Sequence, residues 1–290
     1  MTGPTDIVDA QIHMGPGGIA EVVAAMDALG IAAALVDEYW LRSFANEPHH
    51  VLAGGVQRPV APTAELAAQL HPQRFSYLLR VDVRDPGYAS VIRQLGDAPG
   101  GRALRVDPGM SADNRKAFAD GGYDPIFAAA AENDLPLFAF APDNPAAFAR
   151  AAKAFPSLKL IIDHCGVFSN SMRTSFAQLP PLDEAAQLAL FDEVLALAQY
   201  PNVALKWGHA SGMFDKPAWP GEGLWPILRK AIDAFGANRV MWASDFSVNQ
   251  RSETWADLLY GVVSDPDLTQ SEREWVLGKS VRKWLDWPAG

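Results

Sequence analysis

Short apolar, β-rich runs alternate with stretches of helical period along the whole chain, and this alternation constrains the fold more than any other feature. The runs cover 6–14, 31–39, 75–82, 102–107, 135–141, 158–166, 202–209 and 239–247. Helical patterning marks 18–29, 63–70, 88–95, 123–133, 145–154, 181–199, 225–235, 253–263 and 271–284. Each run is followed by a connection long enough for a crossover, which implies parallel strands with helices packed outside. Eight such units in 290 residues fit an α/β protein of the (β/α)8 TIM-barrel type with extra C-terminal helices. A doubly wound open sheet is the rival, but it ordinarily has fewer strands. No composition break or repeat divides the chain, so one domain over 1–290 is expected. The long segments 40–61 and 168–180 follow the second and sixth strands, where βα loops cover a barrel's active site.

In a barrel, functional groups sit at the C-terminal ends of strands. The polar residues there are Gln11 and His13, Asp37 and Glu38, Arg80 and Asp82, Arg105 and Asp107, Asp163 and His164, Lys206 and His209, and Ser244 and Asp245. Gln11 and His13 lie two apart on an otherwise apolar strand and so share a face. Burying them is costly unless they have partners or a job. For His164 alone the plain alternative is a hydrogen-bonded structural histidine. Its place at the end of a buried strand, with Gly166 following and Asp245 ending another strand in the same way, favours a site. A buried Asp beside a His and a water is a candidate general base.

Three motifs then carry a family likeness: Asp9-Ala-Gln-Ile-His13, Ile162-Asp-His-Cys-Gly166 and Trp242-Ala-Ser-Asp-Phe246. In order and strand position the chain resembles the amidohydrolase superfamily, amidohydrolase-2 type, and within it the branch of 2-pyrone-4,6-dicarboxylate lactonase and related lactone hydrolases. The resemblance covers residues 6–284. It implies a metal site built from two His of the first strand, a Lys or Glu of the fourth, His of the fifth and sixth, and Asp of the eighth. This chain departs from that set. Gln11 replaces the first His, the fifth strand carries Phe138 and Phe140, and the fourth offers Arg105, a cation that would repel a metal. His13, His164 and Asp245 remain. They are expected to be catalytic without a cofactor; the alternative is one divalent metal such as Zn or Mn held by these three.

Arg80, Arg105 and Lys206 point to the barrel mouth if strand parity holds. They read either as an anion-binding rim with an oxyanion-stabilising role or as salt-bridge partners of Asp82, Asp107 or Asp163. Gln11 and His209 are further substrate-binding candidates, as are Trp40 and Trp207 among nine tryptophans. Trp242 also lies beside a strand end, Trp219 and Trp225 flank a Pro/Gly-rich loop after the seventh strand, and several loop Trp round one opening favour a flat or aromatic substrate. His49 and His50 in the second loop read as a solvated pair, or as an acid or base reaching over the mouth. Gly15-Pro-Gly-Gly-Ile-Ala20 satisfies a dinucleotide-binding pattern, but its strand carries Gln11 and His13, and the glycines serve the turn into the helix. Parity separates Cys165 from His164 and Ser244 from Asp245, which argues against a thiol nucleophile or a serine triad.

The formal net charge of −10 argues against a nucleic-acid partner. The chain shows no 18-residue apolar run and no basic n-region, so neither membrane span nor signal peptide is expected, and a cytoplasmic location is the default. Cys165 is the only cysteine, which excludes an internal disulfide and a Cys-based zinc site. The expected partner is a small molecule, anionic or aromatic; a homodimer is left open. By resemblance, the leading activity is hydrolysis of a small carboxylate-bearing or aromatic lactone, with Asp245 activating water. The alternative is a lyase, a decarboxylase or dehydratase, on the same scaffold. A binding protein that has lost catalysis is the third reading, weakened by the persistence of His13, His164 and Asp245 together.

Overall fold

A computed structural model describes residues 6–14, 17–38, 48–246 and 253–289. Eight parallel strands form one sheet: β1 (Ile7–Ile12), β2 (Ile31–Asp37), β5 (Phe75–Arg80), β6 (Gly101–Val106), β7 (Leu137–Ala139), β8 (Leu160–Ile162), β9 (Val203–Gly208) and β10 (Val240–Ala243). Helices between them include α1 (Gly18–Leu29), α2 (Pro62–Leu70), α3 (Tyr88–Asp97), α5 (Asp124–Glu132), α6 (Pro145–Ala154), α8 (Glu184–Leu195) and α10 (Trp225–Phe235). This is the (β/α)8 barrel that the alternation predicts. β1 and β10 close the ring through a bridge between Ile12 and Phe246.

Alternate strand residues face inward and build the barrel's own core. Val8, Ala10, Ala33, Leu35, Leu78, Ala103, Ile161, Ala204, Met241 and Ala243 cluster with the Phe138 ring. The small residues make room for that ring, as dense packing requires. The C-terminal segment joins the same cluster through Val281, Trp284, Leu285 and Trp287, and so plugs the end opposite the polar strand ends. It approaches β1 closely: a Cβ on Gly278 would lie 2.0 Å from the Asp6 carbonyl oxygen. The outward-facing strand residues pack with the helices in a second, larger core.

The structure departs from the sequence expectation at several short elements. The described part of 40–61, expected to be irregular, contains an antiparallel hairpin, β3 (His49–Val51) with β4 (Gln57–Pro59). Three short helices were not anticipated: α4 (Ala112–Ala119), α7 (Asn170–Ser175) and α9 (Ala210–Phe214). The first two begin at Ser111 and Ser169, whose hydroxyls accept from the backbone N–H three residues on, an N-cap signal. The C-terminal run 271–284 is divided into α12 (Gln270–Glu274), a π-helical turn (Trp275–Lys279) and α13 (Ser280–Trp284). Before it, α11 (Trp255–Val263) opens with a capping box of Thr254 and Asp257. No helix among the described residues is long and apolar enough to cross a membrane.

Replacing Trp287 with Ala opens a cavity in the plug and is expected to cost about 3–5 kcal/mol of unfolding free energy, read from urea denaturation followed by tryptophan fluorescence.

Candidate functional site

The C-terminal ends of the strands open into a cavity of about 220 Å³ lined by Gln11, His13, Arg80, Arg105, Asp107, Met110, Phe140, His164, Met172, Phe176, His209, Met213 and Asp245. Three of these residues, His164, His209 and Asp245, have left-handed backbone with φ of 45°, 54° and 57°. Such conformations cost about 1–3 kcal/mol each for a non-glycine residue and cluster at functional sites. They occur where the chain leaves β8, β9 and β10, and they tip each side chain inward over the mouth.

Asp245 is the hub of the floor. Its Oδ1 accepts from Gln11 Nε2 at 2.8 Å and lies 2.9 Å from His13 Nε2, while its Oδ2 is 3.4 Å from His209 Nδ1. His13 Nδ1 donates to the Asp37 carbonyl at 2.8 Å. This fixes the ring so that Nε2 faces Asp245. Gln11 is oriented by Lys206, whose ammonium donates to Gln11 Oε1. The amide nitrogen of Gln11 therefore faces His13 Nε2 at 3.1 Å as well as Asp245.

Around this floor runs a chain of alternating charge. Asp37 accepts from Arg80 Nε and Nη2 at 2.9 and 2.8 Å and also from Arg105. Asp107 meets Arg80 at 3.3 Å and Arg105 at 3.1 Å. Asp163 pairs with Arg105 at 2.9 Å and with Lys206, its oxygens lying off the hydrogen-bond directions. Lys206 is fully buried and also lies 5.5 Å from the centroid of the Phe138 ring. His164 Nε2 is 3.4 Å from Arg105 Nη2, and its Nδ1 is a buried polar atom with no hydrogen-bond partner among the described residues.

These surroundings set the charges. Burial works to raise Asp245, but the imidazoles of His164 and His13 outweigh it and hold the carboxyl well below the usual carboxylate range. For Asp37, burial is outweighed by Arg80 and Arg105, and for Asp163 by Arg105 and Lys206; both stay ionised. His164 is pushed down to about 3, first by burial, so its ring is neutral at pH 7.

The structure thus brings Gln11, His13, Arg80, Arg105, His164, His209 and Asp245 to one cavity, with Lys206 beneath it. Parity turns Trp207 the other way. It packs outside the barrel, stacked at 5.9 Å on Phe214, and does not line the mouth cavity. Trp242 also points outward, donating to the Leu258 carbonyl at 3.2 Å. Trp40 lies outside the described residues. Phe140, Phe176 and three methionines form the apolar wall that tryptophans were expected to supply. Sequence reading missed Met110, Met172, Phe176 and Met213 because they come from short loop helices or connections with no strand signal. It also offered Asp82, Asp107 and Asp163 as salt-bridge partners and passed over Asp37, whereas Asp37, Asp107 and Asp163 hold the three cations and Asp82 pairs with Arg84. Cys165 is buried in the outer core, and Ser244 Oγ accepts from the Phe246 backbone N–H at 3.0 Å. The carboxylate of Glu38, the other acid at the end of β2, accepts from the Ala64 N–H at 2.8 Å.

Residues 8–287 match the family profile described as Amidohydrolase. An L-fucono-1,5-lactonase of Burkholderia ambifaria is 30% identical over 109 residues, which is 37% of this chain and 32% of that protein. The matched stretch spans less than a third of the length of the curated relatives it matches. A zinc-bound amidohydrolase of Burkholderia multivorans shares the fold at a TM-score of 0.72 and 17% identity, over 98% of this chain and 100% of its own. A probable 2-pyrone-4,6-dicarboxylic acid hydrolase of Acinetobacter baumannii, with citric acid bound, aligns at a TM-score of 0.66 and 11% identity over 97% and 99% of the two chains. A 5-carboxyvanillate decarboxylase of Novosphingobium aromaticivorans, complexed with manganese and a nitrobenzoic acid, aligns at 0.60 and 15% over 99% of both.

Metals in such neighbours raise the question of whether these residues fit one. The donor set argues that they do not. The Gln11 N–H groups point at the lone pairs of Asp245 and His13 that a cation would use, and Lys206 holds Gln11 in that sense. The Arg105 guanidinium faces Nε2 of His164. No group of three or more His, Cys, Asp and Glu among the described residues is placed to hold a metal ion.

The depressed carboxyls of Asp37, Asp163 and Asp245 give stability that is present above their unfolded range and is lost as pH falls below about 4. Asp9, raised by burial to about 6, works the other way, since its protonation between about 4 and 6 favours the folded state. Thermal melts are therefore expected to change little from pH 7 to pH 5 and to drop steeply below pH 4. Asp37→Asn, which removes one buried carboxylate from Arg80 and Arg105 and leaves them Asp107 and Asp163, is expected to lower stability at pH 7 by about 1–3 kcal/mol and to flatten the acid-side drop.

Proposed function

The chain belongs to the amidohydrolase family, and from that premise we propose that it is a metal-independent hydrolase of a small carboxylate-bearing or aromatic lactone. The observation that carries this reading is Asp245: an ionised carboxylate on the cavity floor, held by Gln11, His13 and His209. A carboxylate there accepts a proton from water as that water attacks the lactone carbonyl. The C–O bond to the ring oxygen then breaks, and the leaving alkoxide takes the proton back from Asp245. The net change is one water added across one ester bond. Because Asp245 is a weak base, it releases the proton readily, which suits an activated ester better than an amide.

His13 and His164 orient water and carbonyl. The neutral His164 carries a proton and acts as a hydrogen-bond donor rather than as an imidazolium. Arg105, with Lys206 acting through Gln11, supplies positive potential for the oxyanion in a water-poor setting. Arg80 and Arg105 are the substrate's carboxylate clamp. They are already bonded to Asp107, the most exposed acid of their set at 19%, so a substrate carboxylate enters by displacing it. Phe140 and Phe176 flank the ring.

The apolar wall of Phe and Met supports a second reading, a lyase that decarboxylates or dehydrates an aromatic or cyclic substrate. The two separate by product. With lactones that the protein turns over in ¹⁸O-labelled water, hydrolysis places one label in the new carboxylate; a lyase releases carbon dioxide or water and leaves the acid unlabelled. Asp245→Asn is expected to cut turnover about 10²–10⁴-fold with circular dichroism unchanged. Activity is expected to survive a chelator. Loss of activity on chelation, with one equivalent of zinc or manganese in the purified protein, overturns the metal-independent part.

A further inference from the structure

The barrel seam between β1 and β10 lies directly beneath Asp245, and it is not an ordinary ladder. Val8 and Ala10 pack in the barrel interior, yet Gln11 lines the cavity. Two consecutive side chains, Ala10 and Gln11, therefore point inward, and the β1–β2 pairing slips between Asp9 and Ile12. Beside this bulge, on the edge of β1 that faces the end of β10, backbone N–H groups of both segments need an acceptor. A single carboxylate receives them. Asp9, fully buried, accepts from Gln11 N–H at 3.1 Å and Ser244 N–H at 3.0 Å on Oδ1, and from the Trp255 indole N–H at 2.8 Å on Oδ2. One residue on, the Asp245 N–H donates to the Gln11 carbonyl at 3.0 Å and His13 N–H donates to the Phe246 carbonyl.

We infer that Asp9 is a positioning residue: its carboxylate replaces the missing ladder at the seam and so fixes Gln11 and His13 of one strand against Asp245 of the other. It does not line the cavity, and it reaches the cavity residues through the backbone N–H groups of Gln11 and Ser244. An acceptor is needed at both oxygens, because a buried N–H left without a partner is costly. The indole of Trp255 lies stacked on Phe246 at 4.5 Å, which ties the outer helix to the same point.

This inference stands on the seam and needs no substrate, so it is tested apart from the hydrolase reading. The probe is the side-chain ¹H–¹⁵N NMR spectrum of the histidines, with His71 as the remote control. Asp9→Ala is expected to shift the His13 imidazole resonances and leave those of His71 in place. In Asp9→Asn the amide NH2 confronts the Trp255 indole N–H, and the His13 resonances are again expected to move. Adding Trp255→Phe removes that clash while keeping a ring against Phe246, so the double variant is expected to return His13 to its wild-type position, with Trp255→Phe alone unchanged. A folded Asp9→Ala protein whose His13 resonances coincide with wild type overturns the inference. If Asp9→Ala does not fold, the Asn pair decides: resonances equally displaced in the single and double variants, or displaced in neither, also overturn it.

Discussion

The site rests on one requirement: every ion buried at the barrel mouth needs an opposite charge within contact. A buried charge without a partner costs several kcal/mol, and Asp37, Arg105, Asp163 and Lys206 are almost wholly out of water. They satisfy one another in sequence. Asp37 of β2 holds Arg80 of β5 and Arg105 of β6; Arg105 reaches the residue after β8, Asp163; Asp163 holds Lys206 of β9. Lys206 then reaches across to Gln11 of β1. The chain of charge crosses the barrel and sets side-chain geometry on strands far apart in sequence.

That network decides what Gln11 does. An amide can present either its oxygen or its nitrogen to Asp245 and His13. A cation behind it selects the carbonyl, so the nitrogen faces forward as a donor. The same position that would offer a metal another lone pair offers hydrogen bonds instead. The charge balance among the cavity groups follows: three cations, Arg80, Arg105 and Lys206, against four carboxylates, Asp37, Asp107, Asp163 and Asp245. The cations that the sequence offered either as an anion-binding rim or as salt-bridge partners are engaged with acids.

The strand ends carry strain as well as charge. His164, His209 and Asp245 leave their strands in left-handed conformations, and no rule of parity anticipates where such a residue's side chain goes. Parity did work inside the strands. It placed Arg105 and Lys206 inward. It applies equally to Trp207, which alternates with Lys206 and Gly208 on β9 and therefore faces the helices; its proximity to a strand end was the wrong criterion. Phe138, read from sequence only as a lost ligand position, fills the barrel centre.

The sequence by itself determined the barrel, because alternating apolar runs and crossover-length helices have few other ways to bury their faces. It also brought forward most of the cavity's polar residues, since polar groups are rare at the ends of such strands and each one needs a reason. Only the tertiary structure decided their partners. The direction of the Gln11 amide and the seam held by Asp9 depend on groups 195 and 235 residues away, Lys206 and Ser244. Contacts of that range leave no periodic trace in a sequence, because nothing local repeats; they exist only once the ring has closed.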